Sequence, residues 1–301
     1  MNNSLFIRKN IRAAVEWLIA LAAYAYLVYQ LATFDRYSAF AALFSDSSAG
    51  QWVCLSIAIL LMPLNLYLEG AKWKELLCEL HPLDSKEALL QVLYGQRAAF
   101  ITPYRLGDIP ARVMRLNDSK HWKQSLVLGL YGGIIQTVVI IACGIIPAVI
   151  FLHHTAQPYI REVCAVAAIA LLIPVAMRYK SLPRSIRLTG SQLCNTFVWS
   201  TARYTCWIIQ FALTMAWAGV CLPLNDVAIL IPTYYLLVTV TPNIPIADAG
   251  IRGSWAVFTF GLYGVDAPAS AIIAITMWLI NTLLPVALFL PGRIRTKEKT
   301  A

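Results

Sequence analysis

Charged residues are scarce in this sequence. Of its 301 residues only 13% are charged, whereas 59% are hydrophobic, and the mean hydropathy is +0.66. An ordinary soluble domain has about a quarter of its residues charged. The shortage of charge therefore excludes a conventional soluble fold and predicts an integral, multi-spanning membrane protein without a sizeable soluble domain.

Several enzyme motifs are also missing. The seven cysteines include no C-x-x-C pair, and no G-x-x-x-x-G-K-[ST] loop is present to bind a nucleoside triphosphate. The adjacent His153 and His154 would face different directions on a helix, which does not suit a shared metal ion. We expect no metal, no cofactor and no direct use of ATP, and we expect the cysteines to be small core residues.

What the sequence does contain is long apolar runs. About 20 apolar helical residues cross a hydrocarbon core of roughly 30 Å, and unbroken runs of this kind indicate helices. The first run follows basic residues but is longer than the apolar part of a signal peptide, so we interpret it as an uncleaved span. The six predicted spans are Ala13–Thr33, Trp52–Leu68, Gln124–Leu152, Val163–Met177, Leu193–Val220 and Ala267–Leu290.

The net charge of +9 is unevenly distributed. Basic residues are concentrated in alternate loops, and the intervening loops hold only Arg36 and Arg161. This alternation follows the positive-inside rule and predicts a protein of the cytoplasmic (inner) membrane with both termini cytoplasmic. The basic groups have no fold or aromatic pattern of a nucleic-acid reader, so no nucleic-acid partner is expected. They are Arg8, Lys9, Arg12; Lys72, Lys74, Lys86; Arg115, Lys120, Lys123; Arg178, Lys180, Arg184, Arg187; Arg293, Arg295, Lys297 and Lys299.

Two further stretches, Leu89 to Leu116 and Val227 to Gly264, are apolar but interrupted near their middle. Each contains a Thr-Pro pair followed by an aspartate and, four residues later, an arginine. Proline ends the incoming helix because it lacks an N–H group and disfavours a helical conformation in the residue before it. Aspartate is a preferred N-cap, and Pro110 fits the first turn of a new helix. Each stretch is therefore predicted to be a re-entrant helical hairpin.

The two hairpins divide the single transmembrane domain, residues 1–301, into two units, 52–152 and 193–290. The first hairpin should begin at the cytoplasmic face and the second at the opposite face, which would give an inverted repeat. Inverted repeats with broken helices are typical of transporters. Alternatively, the second stretch is two complete spans and the chain crosses eight times, because the parity of the spans allows both topologies.

The charged residues after the breaks are the candidate binding residues. Arg105, Asp108 and Arg112 follow the first break, and Asp248 and Arg252 follow the second. A helix start attracts anions, and an arginine adds a bidentate fork for phosphate. We hypothesise a polar cavity that holds an anionic lipid headgroup or a lipid-linked phosphate. The alternative is that each aspartate simply pairs with the arginine one helical turn later.

Arg203 stands near the middle of its predicted span. A charge at the bilayer centre costs about 3 kcal/mol or more unless it faces a cavity or a partner, so Arg203 is also predicted to be a site residue. Its candidate counter-charges are Glu69, Asp108 and Asp248. Glu69 is predicted at the end of the second span, near the interface, where a solvated glutamate would be ordinary.

The segment GQRAAFITPYRLGDIPARVMRL resembles the transmembrane region of the lysylphosphatidylglycerol synthases and their stand-alone flippase-like relatives. Their pattern there is P-x-R-x-G-[ED]-x-x-R. Pro103, Arg105, Gly107 and Asp108 match this pattern, and Arg112 matches with one additional residue of spacing.

A later pattern of the same family, P-G-G-x-G-x-R-E, is met only in part. Gly250 and Arg252 match, but Gly253 stands where glutamate is expected, and the acidic residue is Asp248 instead. The likeness otherwise consists in the order and spacing of the spans.

The resemblance implies movement of a lipid between leaflets, either an aminoacylated phosphatidylglycerol or a polyprenyl-phosphate-linked sugar. Members that also make the lipid carry a cytosolic aminoacyl transferase after the membrane region. Because this sequence ends soon after its last predicted span, we expect it not to make the lipid.

The leading hypothesis is a flippase or transporter whose partner is an anionic or phosphate-linked membrane lipid. One rival is a membrane-embedded transferase with a lipid-phosphate donor, in which Asp108 or Asp248 is the general base. A second rival is a non-catalytic scaffold for envelope-synthesis enzymes.

Overall fold

The computed structural model describes residues 47–102, 105–116, 121–155, 188–241 and 247–288, together with positions 25, 28, 29, 32 and 41. These residues are helical or lie in the connections between helices, and none of them is in a strand. The predicted all-α class is confirmed. The predicted span Val163–Met177 and all but four positions of Ala13–Thr33 lie outside the described residues.

The helices follow one another in a simple order. They are α1 (Ala49–Leu77), α2 (Ser85–Ile101), α3 (Asp108–Met114), α4 (Trp122–Thr155), α5 (Gly190–Trp217), α6 (Leu224–Val240), α7 (Asp248–Gly261) and α8 (Ala267–Trp278), which continues through a π-helical turn (Leu279–Leu283) into α9 (Leu284–Leu288).

Three of the described helices are long and apolar enough to cross a membrane: Ala49–Leu77, Trp122–Phe151 and Ala267–Leu288. In the most apolar window of each, only 39%, 39% and 33% of the residues are buried inside the protein. Most of their apolar side chains therefore face outward, as Leu60 and Ile146 do with exposures of 72% and 69%. Such an outer surface is stable in lipid, and these helices indicate a membrane protein.

The predicted span Leu193–Val220 corresponds to α5, a helix of 28 residues. This helix is too polar to count among the three apolar ones. Several of its polar residues face the protein interior, where Ser200, Gln210 and Thr214 are completely buried. The mean hydropathy of α5 is therefore lowered by polar residues that are buried inside the protein.

Helix α1 is longer than its predicted span, Trp52–Leu68. It begins after Ser48, whose hydroxyl accepts from the backbone of Gln51, and it continues to Leu77. Glu69 and Lys72 consequently lie inside the helix with exposures of 6% and 3%. The expectation of a solvated Glu69 at the end of a span and of Lys72 in a loop is wrong, because both side chains are buried within a continuous helix and pair with each other.

Both predicted interruptions are present. Thr102 ends α2 with ψ 139° and Thr241 ends α6 with ψ 137°, the extended conformation that a residue before proline prefers. Each threonine hydroxyl donates to the carbonyl four residues earlier, at 2.6 and 2.7 Å. The order of helix, break and helix is confirmed in both stretches, and Pro110 lies in the first turn of α3.

The predicted capping role of the two aspartates is wrong. Gly107 and Ala247 occupy the N-cap positions and make no side-chain cap, while Asp108 and Asp248 are the first residues of α3 and α7. Each carboxylate instead pairs with an arginine one turn later. A negative charge already occupies these helix starts, so ligand anions would have to bind arginine side chains rather than helix termini.

The cysteines are mostly not core residues. Among those that the structure describes, only Cys206 is buried, and the expectation fails for the exposed Cys78, Cys143, Cys194 and Cys221. These four lie on the outer surface of the helices or at their ends.

Helices α1 and α5 pack against each other along their whole length and run antiparallel. The start of α1 contacts the end of α5, and the end of α1 contacts the start of α5. Three hydrogen bonds trace this arrangement: Gln51 Nε2 to Trp217 O at 3.4 Å, Gln210 Nε2 to Ala58 O at 2.8 Å, and Asn195 Nδ2 to Glu75 Oε1 at 2.9 Å.

The same sequence of elements occurs twice. A long helix that opens with a capping box, α1 or α5, is followed by a 17-residue helix, a break, a shorter helix and a final apolar helix. The last helix of each unit contacts the 17-residue helix of the other unit: α4 contacts α6, and α9 contacts α2. The two units predicted from the sequence thus have the same order of helices.

The antiparallel arrangement predicts where two short helices begin. Helix α1 leads into α2 at Ser85, and α5 leads into α6 at Leu224; both residues are exposed. In a variant without the seven native cysteines, an impermeant maleimide should label Ser85→Cys and Leu224→Cys from opposite faces of the membrane. Labelling of both from one face would contradict the antiparallel crossing of α1 and α5.

Candidate functional site

A cavity of about 860 Å³ lies between the two units. Residues on either side of both helix breaks line it, including Arg105 from the first and Thr241 from the second. Of the six predicted binding residues, five line this one cavity: Arg105, Asp108, Arg112, Arg203 and Arg252. Asp248 does not line it but pairs with Arg252.

Glu69 is the centre of a charge cluster that comprises Glu69, Lys72, Arg112 and Arg203. Its Oε1 accepts from Arg112 Nη1 at 2.8 Å. Its Oε2 is 2.6 Å from Arg203 Nη1 and 2.7 Å from Lys72 Nζ. The carboxylate, 8% exposed, therefore pairs with cations on α1, α3 and α5. Attraction between charges is strong in such a setting, because little water is present to screen it.

Arg203 is held by more than its carboxylate partner. Its Nε donates to Asn65 Oδ1 at 2.9 Å, and its guanidinium lies 4.6 Å from the ring centroid of Trp207. Asn65 Nδ2 in turn donates to Asn281 Oδ1 at 3.4 Å. Asn281 belongs to the π-helical turn after α8, a type of irregularity that is frequent at functional sites. Of the three candidate counter-charges, Glu69 is the one that Arg203 pairs with.

Lys72 was not among the predicted site residues, although it lines the cavity. Besides Glu69, its ammonium contacts Gln136 Oε1 at 3.4 Å, and Gln136 Nε2 donates to Ser200 O at 3.2 Å. This path connects α1, α4 and α5. A sequence signal did exist, since Glu69 and Lys72 are three residues apart and so share one face of a helix.

Asp108 and Arg112 form a bidentate ion pair at the start of α3. Arg112 Nε and Nη2 donate to the two carboxylate oxygens at 2.7 and 3.1 Å. The simple ion pair considered from the sequence is present, but Arg112 also reaches Glu69. Gly95 on α2 makes room for this pair, because a Cβ there would lie 2.3 Å from Asp108 Oδ1 and 2.7 Å from Arg112 Nε.

The second unit has a related arrangement. Arg252 Nε donates to Asp248 Oδ1 at 2.8 Å, and Trp278 Nε1 donates to Asp248 Oδ2 at 2.8 Å. The hydroxyl of the threonine at each break also accepts a hydrogen bond, from the Gly107 amide in the first unit and from Trp255 Nε1 in the second, both at 2.8 Å. At each break, the threonine that ends the first helix is thus hydrogen-bonded to a residue that follows the break.

Arg105 has an unusual backbone. Its φ of 57° is the only positive value among the described residues other than glycine. For an L-amino acid this left-handed conformation costs about 1–2 kcal/mol. The Arg105 side chain lines the cavity and makes no ion pair or hydrogen bond with any other residue that the structure describes. A strained residue with an uncommitted charge indicates a functional constraint.

Positive charge predominates around the cavity. The described lining contains five cationic side chains, Lys72, Arg105, Arg112, Arg203 and Arg252. Against these stand Glu69 and Asp108 in the lining and Asp248 beside it, which leaves a surplus of two positive charges. Residues 103–104 and 242–246, between the described parts of the two breaks, include no charged residue.

No family model, curated protein or solved structure matches this chain. The resemblance to the lysylphosphatidylglycerol synthases therefore remains a prediction from the residues quoted above.

The charge cluster predicts a large effect of neutralising Glu69. In Glu69→Gln, three buried cations lose their shared counter-charge, so the free energy of unfolding should fall by about 3–5 kcal/mol. Thermal unfolding of the purified protein in detergent measures this change. Glu75→Gln on the same helix is the matched control, because Glu75 only accepts from Asn195 near the surface and a glutamine can do the same. Equal unfolding temperatures of the two variants would contradict the cluster.

Proposed function

We propose that the protein is a lipid flippase or transporter that takes an anionic or phosphate-linked lipid headgroup into this cavity. The observation that carries the proposal is a cavity with surplus positive charge between helices whose outer faces are apolar. Charged residues within a membrane protein are energetically costly unless they face a cavity, a partner or a substrate. An anionic headgroup that enters the cavity from the membrane would offset the surplus positive charge.

The two units support a transport mechanism. Both breaks contribute to one cavity, and α1 and α5 run antiparallel. These features support a proposed inverted repeat with two re-entrant hairpins. The alternation of basic residues in the sequence is the basis for proposing the cytoplasmic membrane and cytoplasmic termini. In this class of architecture one unit rocks against the other and exposes the central site to each face in turn.

The cavity is suited to a lipid because it also has an apolar margin. Leu130, Ile134 and Val240 line it and are 56%, 37% and 49% exposed, so they lie at its opening. A headgroup could contact the arginines while its acyl chains stay against these residues and the surrounding lipid. A wholly water-soluble anion would gain nothing from this margin.

The transferase alternative has less support. A general base must be free to accept a proton from the substrate. Asp108 is engaged by two nitrogens of Arg112, and Asp248 accepts from both Arg252 and Trp278. The geometry therefore favours binding and movement of a lipid over covalent transfer.

Arg105 allows function to be tested apart from stability. Arg105→Gly removes the uncommitted charge and relieves the left-handed backbone, so the unfolding temperature should stay unchanged or rise. Exchange of a fluorescent anionic phospholipid between the leaflets of proteoliposomes should fall about 10-fold to 100-fold, as expected for the loss of a charge-assisted hydrogen bond. Arg203→Ala should also reduce exchange.

The matched control is Arg115→Gln. Arg115 is one residue beyond the end of α3, lies 3.9 Å from the ring centroid of Tyr94 and does not line the cavity. Its exchange rate should equal that of the unsubstituted protein. Normal exchange in both Arg105→Gly and Arg203→Ala would contradict the proposed site.

A further inference from the structure

The charge balance of the cavity also restricts the kind of headgroup, an inference that rests on the proposed function. A surplus of two positive charges in the cavity lining is best offset by a ligand of two negative charges. A singly charged phosphodiester would leave one positive charge without compensation.

The carboxylates of the site are all occupied. Glu69 pairs with three cations, Asp108 pairs with Arg112, and Asp248 accepts from Arg252 and Trp278. A ligand ammonium group would find no uncommitted carboxylate in the described lining of the cavity and would face the surplus positive charge. Headgroups that carry a free amine are therefore disfavoured.

Donors, by contrast, are available. The Arg105 side chain has no partner among the described residues, and Arg203 uses only Nε and Nη1, which leaves Nη2 without a protein acceptor there. The buried Gln96, 9% exposed, also lines the cavity, and its Oε1 accepts no hydrogen bond. A phosphate group would accept from the arginines, and Gln96 would accept from a hydroxyl beside a phosphate monoester or from the remaining P–OH of a doubly charged diphosphate.

We propose that the cavity takes a lipid headgroup with two negative charges and no free amine, that is, a phosphate monoester or a diphosphate. The aminoacylated phosphatidylglycerol that the resemblance implies does not fit this site. The selectivity arises from the number of uncompensated cations, so it should change when one of them is removed.

Binding of short-chain lipids to the full chain in detergent tests the proposal. The probes are dihexanoyl phosphatidic acid, phosphatidylglycerol and phosphatidylethanolamine, which share their acyl chains, and inorganic pyrophosphate. Titration calorimetry should show phosphatidic acid binding at least tenfold more tightly than phosphatidylglycerol, and no binding of phosphatidylethanolamine.

Arg105→Gln reduces the surplus to one positive charge, so the preference for phosphatidic acid over phosphatidylglycerol should fall below about threefold through weaker binding of phosphatidic acid. Arg105→Gly, which relieves the backbone strain, should behave in the same way, and Arg115→Gln should keep the original preference. These two cavity variants distinguish a loss of charge from a loss of structure.

Equal affinity for phosphatidic acid and phosphatidylglycerol, or clear binding of phosphatidylethanolamine, would overturn the inference while the proposed flippase function stands. Inorganic pyrophosphate has no acyl chains, so its binding as tightly as phosphatidic acid would contradict a lipid ligand. Absence of binding by every anionic probe, together with absence of leaflet exchange, would overturn both proposals.

Discussion

The arrangement of the two units depends on one buried carboxylate. Glu69 on α1 pairs with Arg203 on α5 and Arg112 on α3, and Lys72 completes its surroundings. Because Glu69 is buried, its charge is offset by these cations rather than by bulk water, and it holds the three of them together. The most extensive helix contact among the described residues, between α1 and α5, therefore includes this group of ion pairs beside the cavity.

The helix breaks use the same local chemistry twice. A Thr-Pro pair ends the incoming helix, and an aspartate at the start of the next helix fixes an arginine one turn later. This arrangement keeps polar groups inside the protein, where unsatisfied backbone is tolerated only beside a cavity or other protein groups. The cations that remain uncommitted, above all Arg105, then give the cavity its capacity for an anion.

Much of this organisation is encoded locally and could be predicted. Proline and its preceding threonine determine where α2 and α6 end, and Arg203 needs a counter-charge wherever it lies in a membrane. Other features depend on contacts between the units. Glu69 and Lys72 resemble the charged end of a span, and only the pairing of Glu69 with Arg203 of the other unit shows that they belong to a buried cluster. Within the first unit, the carboxylate of Asp108 pairs with Arg112 instead of capping α3. The left-handed backbone of Arg105 has no sequence signal, because arginine rarely adopts it.

The central claim is that Glu69 and Arg203 compensate each other inside the protein. Its most direct test is a double-mutant cycle in which Arg203→Gln is added to Glu69→Gln and unfolding is measured in detergent. If the two side chains compensate each other, removal of the stranded arginine should restore at least about 1 kcal/mol of the stability that Glu69→Gln loses. A double variant less stable than either single variant, by the sum of their separate losses, would contradict the account.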